Sequence, residues 1–368
     1  MKTKVLYSFL FLLSYAYLSY SQTMAPYSSS KWVYNSENAK VEMVDGKECL
    51  FLNSDLAYLD GVNFSNGIIE FDVKFEQQRS FVGAIFRMID TDNFEDFYMR
   101  SHQSGNPDAT QYTPVFNGNA GWQIYSGEGY NQAVKFDFGT WTHVKIVLKN
   151  HQAEIFVKDM NQPILAIPEL KMGNKSGKIG VRTFLGPAYF TNFTYHQIDL
   201  PELTVDFKPP GDIDPSIISK WQISSTINEK SILETSSLPE DLLNELSWQV
   251  LESGNTGLVN ISRITKLSQE GNTVFAKVVI HSESDQIKEM MFGFSDRVQV
   301  FLDGKKLFAG NDSYRSRDYR FLGTVGFFDS LHLPLSKGEN ELILAISENF
   351  GGWGFRVKLK DINGINIE

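Results

Sequence analysis

Cysteine is almost missing from this 368-residue chain: Cys49 is the only one, which rules out an internal disulfide and any multi-cysteine metal site. It stands between Glu48 and Leu50 in an apolar-leaning run, the setting of a buried structural thiol rather than a nucleophile. Basic residues are also short. Thirty-four Lys and Arg face 44 Asp and Glu, a net charge of −10, so the average field repels a phosphate backbone and nucleic acid is not an expected partner. The six histidines, at 102, 143, 151, 196, 281 and 332, show neither His-x-His nor His-x-x-x-His spacing, so no metal-binding histidine pair is expected. Calcium is the one ion left open, because carboxylates and loop carbonyls suffice for it, with Asp296 or Asp312 as donors; otherwise no cofactor is expected. Gly-x-Ser-x-Gly, a phosphate-cradling Gly-Lys-Thr and the dinucleotide fingerprint are all lacking.

What is present begins with an address. Lys2 and Lys4 precede an apolar run from Val5 to Leu18, followed by Ser19-Tyr20-Ser21. A positive start, a short apolar core and small residues flanking the cut form the secretory leader pattern, with cleavage expected after Ser21. The run is too short and too interrupted by serines for a membrane anchor, which needs about 20 apolar residues. No other long apolar run follows, so the chain is expected to be secreted, periplasmic or extracellular, without membrane insertion.

With 42% hydrophobic residues and this length, two domains of about 150–200 residues are expected. Ile69, Phe71, Val73 and Phe75 alternate with Glu70, Asp72, Lys74 and Glu76, a strand with one apolar face. Residues 81–88 and 94–99 read as further strands, 141–159 as a hairpin, and 178–184 with 188–195 as a strand pair split by Leu185-Gly186-Pro187. Prolines 201, 209, 210 and 215 mark a joint. Beyond it, a short helix is expected at 239–246, then strands at 273–281 and 297–302, the latter ending at the turn pair Asp303-Gly304, and at 341–347 and 353–359. The expected fold is all-β: two jelly-roll sandwiches in tandem, 22–200 and 217–368, joined by a Pro-rich linker at 201–216.

The stretch from Gly67 through Trp141-Thr-His-Val-Lys-Ile to Lys178-Ile-Gly-Val-Arg and Ala188-Tyr-Phe-Thr-Asn-Phe resembles the concanavalin A-like jelly roll, in particular laminin-G-like domains and bacterial 3-keto-disaccharide hydrolases. Phe294–Gly304, Lys337-Gly-Glu-Asn-Glu-Leu and Gly351-Gly-Trp-Gly-Phe resemble a galactose-binding-like sandwich. The resemblance implies work on poly- or oligosaccharides, through distributed strand motifs that speak for fold more than for activity.

Three clusters invite a site. Glu70, Asp72 and Glu76 share a sheet face, as glycosidase carboxylates do, but Lys74 and Phe75 occupy the positions of the expected third acid. Glu76 then falls beyond the roughly 5 Å pairing of a retaining enzyme, and a polar solvent face fits better. Arg100, Gln103 and Asn106 lie in a Gly/Asn/Pro-rich loop stretch followed by Trp122, Tyr125 and Tyr130, the mixture of rings and planar polar groups that sugars require. Arg315 and Arg317, with Trp353 as a platform, form the third; ion pairs to Asp312 and Asp318 that merely order a loop are the alternative. No catalytic motif is identifiable. The sequence therefore points to a secreted carbohydrate-binding or accessory protein. The alternative is a glycan or 3-keto-glycoside hydrolase using Arg87, Glu95 and His102, and a further one is a laminin-G-type adhesion module.

Overall fold

The computed structural model describes residues 22–208, 211–318 and 322–368; the expected leader, 1–21, and Pro209 and Pro210 of the expected joint lie outside the described residues. The fold is nearly all β. Two antiparallel sheets form a first sandwich. One runs Leu165–Ile167, Gln152–Val157, Thr142–Lys149, Gly67–Lys74, Pro187–Gln197, Lys47–Asn53, Ala39–Val44. The other runs Thr110–Phe116, Asn93–Arg100, Phe81–Asp90, Lys178–Phe184, Leu56–Leu59, Trp32–Val33. Alternation builds the core between them. Ile69, Phe71 and Val73 from the first sheet meet Val82, Ala84, Phe97 and Val181 from the second, all fully buried. Cys49 is buried, as its neighbours imply.

A second pair of sheets follows. Six strands order as Trp248–Glu252, Lys220–Ser224, Thr273–Ser282, Gly338–Ser347, Arg297–Leu302, Lys305–Asn311, and pack on Val259–Asn260, Gly354–Leu359, Gln286–Ser295 and Asp329–Leu335. Their core holds Trp221, Phe292, Phe294, Phe355 and Ile346. The expected turn is there: Asp303 and Gly304 have φ of 48° and 75°, the left-handed pair that a two-residue hairpin needs. The short helix is Glu240–Asn244, with Pro239 at its start.

One strand pairing is corrected. Lys178–Phe184 and Pro187–Gln197 do not pair with each other; they belong to opposite sheets, and the chain crosses between layers at Leu185-Gly186. Period-two alternation says which residues share a face, and is silent about the neighbouring strand.

Candidate functional site

The strand Asn93–Arg100 has two working faces. Glu95, Phe97 and Met99 point to the core side, and Asp96, Tyr98 and Arg100 to the opposite face of the sheet. Cross-strand register sets Arg182, Gly83, Tyr98 and Gln111 in one row and Phe184, Phe81 and Arg100 in the next. Gly83 lets the neighbouring strand approach closely, since a Cβ there would stand 1.8 Å from the Phe97 carbonyl oxygen. The second sandwich leans over this face, and a cleft of about 410 Å³ remains between them, a size usual for small-ligand sites.

Its floor is a set of planar polar groups already held in place. Asp96 is fully buried and forms an ion pair with Arg182, while its Oδ1 has no hydrogen-bond partner among the described residues. Burial lifts the Asp96 carboxyl to about 6 against the opposing pull of Arg182 and Arg100. Arg100 donates to the Asp108 carbonyl at 2.7 Å, to Gln111 Oε1 at 2.9 Å and to Tyr98 Oη at 3.3 Å. Gln111 is itself fixed, its amide nitrogen donating to the carbonyls of Tyr125 at 2.7 Å and Tyr112 at 3.1 Å. Rings surround the Arg100 guanidinium: Tyr98 at 5.1 Å, Phe81 and Trp122 each at 5.9 Å.

Both walls are aromatic. On one side Phe81 contacts Tyr98, Phe184 and His102 at centroid distances of 5.5, 5.7 and 5.3 Å. On the other, Trp122, Tyr314 and Phe350 form a trio with separations of 6.1, 6.2 and 6.0 Å. Trp122 comes from the first sandwich, Tyr314 and Phe350 from the second. Phe184 and Phe350 are 47% and 51% exposed, large apolar surface left open at the mouth.

The cleft keeps its shape because the loop carrying Trp122 is locked into the second sandwich. Gln123 is fully buried there. Its backbone N–H donates to the Gly351 carbonyl at 2.8 Å, its side-chain amide to the Leu322 carbonyl at 2.8 Å, and its own carbonyl accepts from Val325 at 3.1 Å. Asn117 and Asn119 donate to Ser262 at 2.8 and 3.0 Å, and Ile124, Tyr125, Leu258 and Val325 form a small apolar cluster across the seam. The glycines opposite make room. A Cβ on Gly351 would stand 1.8 Å from Gln123 Oε1, and one on Gly352 2.9 Å from the Gly121 Cα.

This lock corrects the reading of Trp353 as a sugar platform. Trp353 is fully buried in the second core and donates to the Ile346 carbonyl at 3.0 Å, while the glycines beside it admit the 121–125 loop. Tyr125 is likewise buried at the seam, its hydroxyl accepting from Asn260 at 3.3 Å. Tyr130 stacks on Tyr112 at 6.1 Å, away from the cleft. Neither ring is an open platform. Arg317 pairs with Asp312 and Asp329, so the loop-ordering alternative describes it, and Arg315 is exposed beyond the cleft, against Tyr314. Gln103 lines the mouth; Asn106 is exposed beside it and donates to it.

The three catalytic candidates do not converge. Arg87 is fully buried and donates to the backbone carbonyls of Gly173, Asn150 and Ser65. Glu95 is buried on the core side, accepting from Tyr112 Oη at 2.8 Å and the Met172 N–H at 2.7 Å. Only His102 reaches the cleft. Sequence reasoning missed Asp96, Arg182, Phe81, Phe184, Tyr314 and Phe350, and Asp96 with Tyr98 and Arg100 was available as the second alternating set in residues 94–100. Among the described residues no cluster of three or more His, Cys, Asp or Glu side chains is arranged to hold a metal ion.

Glu70 and Asp72 lie on the outer face of the other sheet, as a polar solvent face should, yet they share a partner: His143 Nδ1 is 2.7 Å from Asp72 and Nε2 3.4 Å from Glu70. Hydrogen bonds to Asp72 and Glu70 raise the imidazole to about 9. A raised histidine contributes stability that is complete below its ordinary value of 6.5 and lost as pH climbs through 9. Since the group is partly exposed, screening holds that contribution below about 1 kcal/mol. We expect the His143 ring signals to titrate near pH 9 by NMR; a midpoint near 6.5 would break the assignment of this bridge.

No family model matches the chain, and no curated protein matches it. Several solved structures do. The carbohydrate-binding module CBM66 from Bacillus subtilis is 15% identical, over 45% of this chain and 96% of that one, with a TM-score of 0.36. A β-glucanase from Bacillus licheniformis is 12% identical over 48% of this chain and 98% of its own, with a TM-score of 0.35. A β-1,3-1,4-glucanase (lichenase) from a mouse hindgut metagenome is 11% identical over 48% and 99%, with a TM-score of 0.37.

Proposed function

We propose that this protein binds extracellular glycans in the cleft between its two sandwiches, after export directed by the leader pattern at residues 1–21. The observation that carries the reading is the joint geometry of the cleft: aromatic rings on both walls over a floor of buried, hydrogen-bonded guanidinium, carboxylate and amide groups. Sugar rings present C–H faces that pack on aromatics and hydroxyls that both donate and accept, and this cleft offers partners for each. Asp96 Oδ1 is an acceptor without a partner among the described residues, and Arg100 and Arg182 are donors lining the same cleft.

The second sandwich, whose strand motifs resemble galactose-binding-like domains, works here as one wall of a shared site. Hydrolysis is the less supported reading. The carboxylates lining the cleft are Asp96 and Asp108; Asp96 is engaged by Arg182, and Asp108 lies 4.0 Å from Arg100. A glycosidase needs two carboxyls of distinct duty across the scissile bond. The test is to run the purified chain through native gels cast with soluble polysaccharides and to assay the same mixtures for released sugars. Retardation without products is expected, and it should be lost in Tyr314→Ala. Released products would make the protein an enzyme, and retardation unaffected by Tyr314→Ala would move the site away from the cleft.

A further inference from the structure

The polar groups of the cleft are not evenly signed. Among the described residues three arginines, Arg79, Arg100 and Arg182, line it against two aspartates, and Arg182 is already matched by Asp96. Arg79 is exposed at the cleft mouth and makes no ion pair among the described residues. An exposed guanidinium without an ion pair at the rim of an aromatic cleft can take an anion from outside.

His102 lies beside it. The ring is edge-on to Phe81 at 5.3 Å, and its Nδ1 is buried with no hydrogen-bond partner among the described residues. The charged and polar groups that face the ring are Arg79, Arg100, Asp108 and the Ser80 backbone. Burial first, and then the charges of Arg79 and Arg100, push the imidazole below its ordinary value. The mouth of the cleft therefore combines an open guanidinium fork, a second guanidinium held by Tyr98, Phe81 and Trp122, and an imidazole whose protonation burial and then both guanidiniums disfavour.

Resting on the glycan-binding reading above, we propose that this mouth receives a carboxylate, so that the cleft selects glycans bearing uronic acid or comparable carboxylated sugars. The carboxylate accepts from the Arg79 fork, whose planar pair of N–H groups matches two carboxylate oxygens. The sugar ring carrying it stacks between Phe81 and Phe184 on one side and Phe350 on the other. An anion placed there also relieves the repulsion on His102, so binding should raise the His102 titration midpoint, and by linkage affinity should grow as pH falls toward that midpoint.

The experiment compares polygalacturonate and alginate oligosaccharides with the same chains after reduction of their carboxyl groups, by calorimetry on the full chain and by NMR titration of His102. The carboxylated forms should bind at least about tenfold more tightly than the reduced forms, a gap that charge-assisted hydrogen bonds supply. The His102 midpoint should rise only with the carboxylated ligand. Arg79→Ala, an exposed change that leaves the unfolding temperature in place, should bring the carboxylated ligand down to the affinity of the reduced one. Equal binding of both forms, or binding of neutral glycans alone, overturns the inference and leaves the glycan-binding reading standing. Equal binding of dextran sulfate or polyglutamate overturns it as well, since charge alone would then suffice. Failure to bind any glycan, neutral or acidic, overturns both.

Discussion

Trp122→Ala is expected to weaken glycan binding on the order of 30- to 150-fold while leaving the unfolding temperature close to that of the parent. The fold-change corresponds to about 2–3 kcal/mol, the usual cost of truncating a central aromatic anchor. Trp122 is placed for that role: its ring lies 5.9 Å from the Arg100 guanidinium and edge-on to Tyr314 at 6.1 Å, over the floor of the cleft. Yet it belongs to none of the buried apolar clusters, so its loss leaves both cores intact. Trp122→Phe should recover part of the affinity, because a smaller ring restores some stacking area. Calorimetry with a retained oligosaccharide, beside thermal unfolding of the same samples, separates the two effects. A large drop in unfolding temperature would mean that Trp122 is a packing residue.

Gly352→Val is expected to be more damaging, through the lock. Gly352 has φ +136°, and an added Cβ would stand 2.9 Å from the Gly121 Cα and 3.0 Å from Ile124 Cγ1. The first neighbour is backbone and has little room to yield. Strain at such a φ costs about 1–3 kcal/mol, and overpacking a tight contact about 1–3 kcal/mol more. The cheapest escape is for the 121–125 loop to leave the second sandwich, which breaks the Gln123 hydrogen bonds and carries Trp122 away from Tyr314 and Phe350. Binding should then fall below detection, and small-angle scattering should show a larger radius of gyration although both β cores persist. Parental binding and scattering in Gly352→Val would show that the lock does not shape the cleft.

The fold was legible where local rules decide it. The alternation from Ile69 to Phe75 places four side chains in the core, and Asp303-Gly304 turns as that pair must. Legibility stopped where two distant segments meet. A strand with an acid on each face, Glu95 and Asp96, gives no local sign of which one looks into a cleft; the sheet partners decide it, and they send Glu95 to Tyr112 and Asp96 to Arg182. Gly351-Gly352-Trp353-Gly354 misled for a related reason. Glycines around a tryptophan suit an open sugar platform or a close backbone approach equally well, and only the position of Gln123 shows that the second applies. Tyr314 and Phe350 gain their role from a sandwich other than the one that supplies the floor, and no pattern along the chain announces that.

The central claim is that the site lies between the sandwiches and uses both. Its most direct test is a crystal structure of the chain with whichever oligosaccharide is retained in gels. Sugar density is expected between the Phe81–Phe184 wall and the Trp122–Tyr314–Phe350 trio, with hydroxyl or carboxylate oxygens within hydrogen-bond reach of Arg79, Arg100, Arg182 or Asp96. Density on the outer face around His143, or on one sandwich alone with the cleft empty, would contradict it.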